Sequence, residues 1–265
     1  FILVAFLSQS LISFLLLCYF SKSFIFLNKY LHIIKPRLNS EVYNTSWKTA
    51  LSVIFHMGFF SGSVFFVNSY FGMLFTSKYS YHLQIVRAIS TFSQAPFYSE
   101  LPVLNKIFHI ENNIEKLKKI LIKRFNYSIF SYLILYGLFT LIFPIVLKFL
   151  NFKNSFSNDF FWKVIGISLF FERIYAMLLT SISISKKIYS HIFNFFFVMI
   201  IIIGVIIFGR GVDLNIFIIM IAFSYFTLTP PLILLVKKKI NIDLKKNIIY
   251  TILITISFFI ISFLF

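Results

Sequence analysis

Acidic residues are scarce in this chain: eight Asp and Glu stand against 25 Lys and Arg, and charged residues make up only 12% of 265 positions. Soluble domains carry about 25% charged residues, so a water-soluble globular fold is excluded. Cysteine is nearly absent. The single Cys18 sits in an apolar run and reads as a small core residue, which excludes an intrachain disulfide and leaves the redox compartment open. Strands with alternating apolar and polar positions are missing, which argues against a β-barrel. Enzyme signatures are missing too. There is no His pair at helical metal spacing, no DxD-like acidic pair, no GxSxG and no phosphate-binding Gly loop, so neither an enzyme nor a cofactor is expected. Glu41, Glu111, Glu115, Asp159, Asp213 and Asp243 fall in loops or at span ends and read as solvated surface.

What the chain has instead is 59% hydrophobic residues, 39 of them Phe, gathered in long apolar runs. A helix rising about 1.5 Å per residue needs roughly 20 apolar residues to cross about 30 Å of hydrocarbon. Runs against polar breaks place eight such spans at 1–20, 49–71, 82–104, 126–150, 163–184, 191–208, 214–236 and 247–265. The expected fold class is therefore an all-α polytopic membrane protein. The chain opens on Phe1 inside an apolar stretch that is too long for a signal peptide and lacks its basic flank, so a fragment without its N-terminus is expected.

Basic residues set the expected orientation, because Lys and Arg are retained on the cytoplasmic side during insertion. The loops after spans one, three, five and seven hold 18 of them, including Lys106 to Arg124, Lys186, Lys187 and the "KKKINIDLKK" segment. The opposite loops and adjoining span ends hold five: Lys78, Lys148, Lys153, Lys163 and Arg210. The positive charge thus follows topology and contact with anionic lipid heads, and no nucleic-acid partner is expected. "ENNIEKLKKILIKRF", 111–125, has apolar residues at 114, 117, 120 and 121 and suits either a basic helix lying on the inner leaflet or a solvated connector. The polar stretch 21–48, broken at Pro36, is the longest gap between spans and reads as a cytoplasmic linker between helical lobes. On this division 1–20 ends a first lobe, 49–236 is a six-helix second lobe, and 237–265 adds a basic loop and one more span.

Polar residues inside the spans are the candidate functional groups, since an ionisable side chain in hydrocarbon costs about 3 kcal/mol or more unless it faces a bundle interior or water. In "RAISTFSQAPFYSELP", 87–102, Arg87, Ser90, Thr91, Gln94 and Tyr98 share one helical face. That stripe suits a hydrated translocation cavity, with Arg87 snorkelling outward as the alternative. Pro96 predicts a kink near Gln94. Glu172 and Arg173 lie mid-span. Sequence neighbours diverge by about 100° on a helix, so each is expected to find its partner elsewhere, Glu172 with Arg87 for example. Alternatively, Arg173 faces the cavity as an anion-binding group. His56, and with it Glu172, are candidates for coupling to an ion gradient. Gly58 and Gly62 in "GFFSG" predict close helix packing, and "TLTPPL", 227–232, predicts a helix break near Pro230 and Pro231.

"SWKTALSVIFHMGFFSGSVFFVNSYFG", 46–72, followed by "QIVRAISTFSQAPFYSELPVLNKIF", 84–108, resembles the opening helices of a lobe in Wzx-type polysaccharide flippases. These belong to the multidrug/oligosaccharidyl-lipid/polysaccharide exporter superfamily. The resemblance covers about 60 residues closely and the remaining helix spacing loosely. It implies two six-helix lobes around a central cavity in the bacterial inner membrane. It also implies transfer of a polyprenyl-pyrophosphate-linked oligosaccharide to the periplasmic leaflet for O-antigen, lipopolysaccharide or capsule assembly. Arg87 and Arg173 would then attract phosphates, while Ser90, Thr91 and Gln94 satisfy sugar hydroxyls. Membrane lipid and other polysaccharide-assembly membrane proteins would be its partners. Two other readings are a drug-type cation antiporter of the same superfamily and a membrane polysaccharide polymerase or glycosyltransferase. The first would favour acidic cavity residues. The second usually carries a large outward catalytic loop.

Overall fold

The computed structural model describes residues 40–149 and 160–264. The architecture below belongs to one compact unit, Ser46–Phe265, and the unit ending at Thr45 contributes only the start of the first described helix. Span one, Cys18 and the connector up to residue 39 lie outside the described residues.

Among the described residues every regular element is helical and none is a strand. The helices are α1 (Ser40–Phe71), α2 (Met73–Ser93), α3 (Ala95–Tyr98), α4 (Leu101–Lys106), α5 (Ile114–Phe149), α6 (Phe160–Ser183), α7 (Ser190–Phe208), α8 (Leu214–Ile240) and α9 (Lys245–Leu264). Among the described residues five stretches are long and apolar enough to cross a membrane: Thr45–Phe71, Ile114–Ile145, Phe160–Ser183, Ser190–Phe208 and Leu214–Ile240. The protein is therefore a membrane-embedded helical bundle; of the expected spans, 1–20 lies outside the described residues, five coincide with these stretches, and 82–104 and 247–265 do not. α2 is more polar than these five, because Thr76, Ser77, Lys78, Ser80, His82, Gln84 and Arg87 dilute its apolar content. α9, whose side chains are described only as far as Phe259, is not among the five.

Three boundaries differ from the sequence reading for identifiable reasons. α2 begins at Met73, directly after Gly72, whose φ of 83° lies in the left-handed region open to glycine. Arg87 is thus about 14 residues, or roughly 21 Å, from the start of its helix rather than near the start of a span opening at 82. The 111–125 stretch is not a separate surface helix. From Ile114 onward no breaker interrupts it, and Leu117, Leu121 and Phe125 continue the buried stripe of α5, a 36-residue helix about 54 Å long. Pro230 and Pro231 do not end α8, which runs through to Ile240. Membrane helices tolerate proline where hydroxyls and neighbouring helices compensate. Here the prolines free the carbonyls of Phe226 and Thr227, while α8 stays packed along its length against α6 and keeps its helical course.

The break foreseen near Gln94 is present. α2 stops at Ser93, and Pro96 and Pro102 occupy the first turns of the short helices α3 and α4. Glu100, at the turn between them, pairs with Arg124 of α5. Further out, Lys116 donates to Glu111 (2.8 Å) and holds that exposed carboxylate below its ordinary range.

α6 is at once the least apolar and the most buried of the five spans, and α7 is the most apolar and among the least buried. In lipid this order is physical. Apolar residues gain little by leaving hydrocarbon, while polar ones gain by facing other helices. α6 packs most extensively on α8 and also meets α2 and α5, so its midpoint lies at the centre of the bundle.

Candidate functional site

The midpoint of α6 carries Glu172 and Arg173. Arg173 Nη2 donates to Glu172 Oε2 at 3.0 Å, so these neighbours are each other's ion-pair partner, contrary to the sequence expectation. The 100° divergence concerns their Cβ directions. Two long side chains bend around the helix and close that gap where the bundle offers no better-placed countercharge. Ser90 of α2 donates to the same Oε2 at 3.2 Å. One carboxylate oxygen thus takes a hydroxyl and a guanidinium donor from two helices.

The pair is asymmetric. The Arg173 side chain is fully sealed at 0% exposure, whereas Glu172 keeps 10% of its side chain open. What little exposure the pair keeps belongs to the Glu172 side chain. Arg173 Nε and Nη1 are buried with no hydrogen-bond partner, and so is the Tyr225 hydroxyl. Buried donors left unpaired cost about 1–3 kcal/mol each, so this polar centre is under-satisfied.

Arg87 occupies a different setting. It is half-exposed, its guanidinium lies 4.5 Å from the centre of the Phe60 ring, and Nη2 comes within 4.0 Å of Met57 Sδ. Among the described residues no carboxylate lies within ion-pair distance of it. The His56 ring also contacts Phe60, edge-on with centroids 5.0 Å apart. His56 lies within electrostatic reach of Glu172, Arg87 and Arg173. The structure therefore brings His56, Ser90, Glu172 and Arg173 into one neighbourhood, with Arg87 at its more open edge.

The rest of the stripe disperses. Thr91 Oγ1 donates to the carbonyl of Arg87 in its own helix (2.8 Å). Gln94 is half-buried at the helix break, where its carbonyl accepts from the backbone N–H of Phe97 and Tyr98. Tyr98 shares a 3.2 Å hydrogen bond with Thr180 of α6. The Arg87 face is thus not one continuous polar lining: Ser90 turns inward, Thr91 satisfies backbone, and Tyr98 ties two helices.

Sequence reasoning passed over the tyrosines around the pair. Tyr132 of α5, Tyr175 of α6 and Tyr225 of α8 are buried and lie within electrostatic reach of Glu172. Their signal was available, since tyrosine is enriched at membrane interfaces and stands out at mid-span. Tyr175 donates to Asn194 Oδ1 (2.7 Å), and Asn194 Nδ2 donates to Ser52 Oγ (2.9 Å) and to its carbonyl (3.1 Å). Asn194 therefore locks α1, α6 and α7 together. Asn194→Leu is expected to leave the Tyr175 hydroxyl unpaired and to lower stability by about 1–3 kcal/mol, read as the unfolding midpoint of the detergent-purified protein. An unchanged midpoint would show that the network is satisfied by solvent.

Gly58 and Gly62 do not pack against another described helix. Both are exposed, with nothing within 4 Å of a Cβ placed on either. The expected close packing is found instead at Gly166 of α6, where Tyr136 lies against the glycine.

Among the described residues no group of three or more His, Cys, Asp or Glu is placed to hold a metal ion. The arrangement offers oxyanion and cation recognition at membrane depth. No family model, curated protein or solved structure matches the chain.

Proposed function

We propose that this protein is a transporter that turns a polyprenyl-pyrophosphate-linked oligosaccharide from the cytoplasmic to the periplasmic leaflet of a bacterial inner membrane by alternating access. The observation that carries this reading is Arg87. It is a half-exposed arginine in the second half of α2, with no carboxylate partner among the described residues and held by an aromatic ring and a thioether. A charge kept so at membrane depth needs water or an anionic ligand. A pyrophosphate–sugar headgroup supplies the anion, while its prenyl tail stays in lipid. The resemblance at 46–72 and 84–108 supports the same class.

One observation favours a second reading, a cation exporter: the open member of the buried pair is Glu172. The two readings separate in one experiment. In cells whose surface polysaccharide depends on this protein, Arg87→Ala is expected to lower that polysaccharide at least tenfold at unchanged protein level, with partial recovery in Arg87→Lys. Unchanged polysaccharide removes the flippase reading. Loss of cationic-dye efflux in Glu172→Gln, with polysaccharide intact, would install the exporter instead.

A further inference from the structure

The Glu172–Arg173 pair leaves most of Arg173 unused. A guanidinium carries five N–H donors in a planar fork suited to carboxylate or phosphate. Glu172 takes one nitrogen through a single oxygen, while Nε and Nη1 remain buried and unpartnered. Ser90 converges on that same oxygen from α2. The position of Oε2 is therefore a two-helix oxyanion site whose present occupant satisfies only part of it. Glu172 is also the member of the pair whose side chain keeps some exposure.

We infer that the Glu172 carboxylate is an internal placeholder on an oxyanion site built from Arg173 and Ser90, and that a phosphate or diphosphate group displaces it. This inference rests on the transport reading above and assigns the element that regulates ligand entry to it. Glu172 engages the guanidinium through one oxygen only, whereas a phosphate can set two oxygens along one guanidinium edge and so pair an orphaned nitrogen together with Nη2. The displaced carboxylate has His56 within electrostatic reach to receive it. Arg87, at the open edge, adds a second cation for the remaining anionic oxygens. Glu172 then acts as a selectivity element. It keeps Arg173 neutralised in the empty state, avoiding the cost of a bare buried charge. It also sets a threshold that a singly charged oxyanion does not pass.

The experiment uses the whole chain in lipid nanodiscs, with inorganic pyrophosphate and a short prenyl diphosphate as probes and affinity read by calorimetric titration. Glu172→Gln keeps an acceptor for Arg173 but removes the competing charge, and is expected to tighten diphosphate binding at least tenfold. Ser90→Ala and Arg173→Lys are expected to weaken it at least fivefold. Unchanged or weaker binding in a folded Glu172→Gln protein overturns the proposal. If that variant does not fold, Ser90→Ala and Arg173→Lys decide in the Glu172 background, and unchanged affinity in both overturns it. Absence of diphosphate binding in both wild type and Glu172→Gln also overturns it. Equal binding of the two probes supports the site but makes its ligand a free anion, which counts against the lipid-linked substrate. Tighter binding of the prenyl probe supports both. The Arg87→Ala polysaccharide assay judges the transport reading separately, so either idea can fail alone.

Discussion

Glu172→Leu is expected to destabilise the folded protein by about 3–5 kcal/mol. The substitution takes away the carboxylate that faces Arg173 and leaves a guanidinium at 0% exposure with no countercharge at hydrogen-bond distance and all its nitrogens unpaired. Against native stabilities of about 5–15 kcal/mol, that loss takes a large share of the margin. Arg173→Met is expected to cost less. Glu172 would keep the Ser90 hydrogen bond and its 10% opening, through which it can be hydrated or protonated. The double variant Glu172→Leu/Arg173→Met is expected to lie within about 1–2 kcal/mol of the wild type, because replacing a buried ion pair by apolar residues of similar volume is often close to neutral. The check is a double-mutant cycle on unfolding midpoints in detergent, with the coupling read from the shortfall of additivity. Additive singles, each below about 1 kcal/mol, would mean the pair is solvated and that its burial is not an energetic feature.

How much of this was legible beforehand varies with the kind of signal. The long apolar runs revealed α1, α5, α6, α7 and α8 because hydrocarbon selects length and composition directly. The break after Ser93 was legible because proline acts through its own ring and its missing N–H, whatever surrounds it. The start of α2 was not. Lys78, His82 and Gln84 look like loop residues until neighbouring helices are present, and His82 is in fact buried beside Phe161 and Trp162. Nor was the order of burial legible. Outward faces of membrane helices are as apolar as a core, so α6 reveals its central place through Ser168, Glu172 and Arg173 rather than through hydrophobicity. The residues Arg87, Ser90, Glu172, Arg173 and His56 were all found as anomalies of composition. Their partition into a sealed guanidinium, a reaching carboxylate and an open second arginine depends on side-chain reach across three helices, which helical periodicity does not encode.

The small residues show the same limit, and they lead to the second large effect. Gly166→Ala is expected to destabilise the protein by about 3 kcal/mol, while Gly62→Ala should be close to neutral. A methyl on Gly166 would meet Cε2, Cζ and the hydroxyl oxygen of Tyr136, the last at 2.6 Å, whereas one on Gly62 meets nothing within 4 Å. Tyr136 has nowhere to retreat. Its ring stacks on Trp162 with centroids 5.0 Å apart, lies 5.3 Å from Phe259, and its hydroxyl donates to the Trp162 carbonyl at 3.1 Å. One turn earlier in α5, Tyr132 donates to the Gly166 carbonyl at 2.7 Å, so moving α6 away to admit the methyl would break a buried hydrogen bond as well. A smaller residue in place of the ring should relieve the clash. Tyr136→Leu alone loses stacking and a hydrogen bond, but combined with Gly166→Ala it is expected to cost clearly less than the two singles added. The measurement is the unfolding midpoint of the four proteins. If Gly166→Ala and Gly62→Ala prove equally harmless, α5 and α6 are not held at the separation that Tyr136 defines. Their close approach places Tyr132 beside the Glu172–Arg173 pair, so its loss would displace one wall of the candidate site.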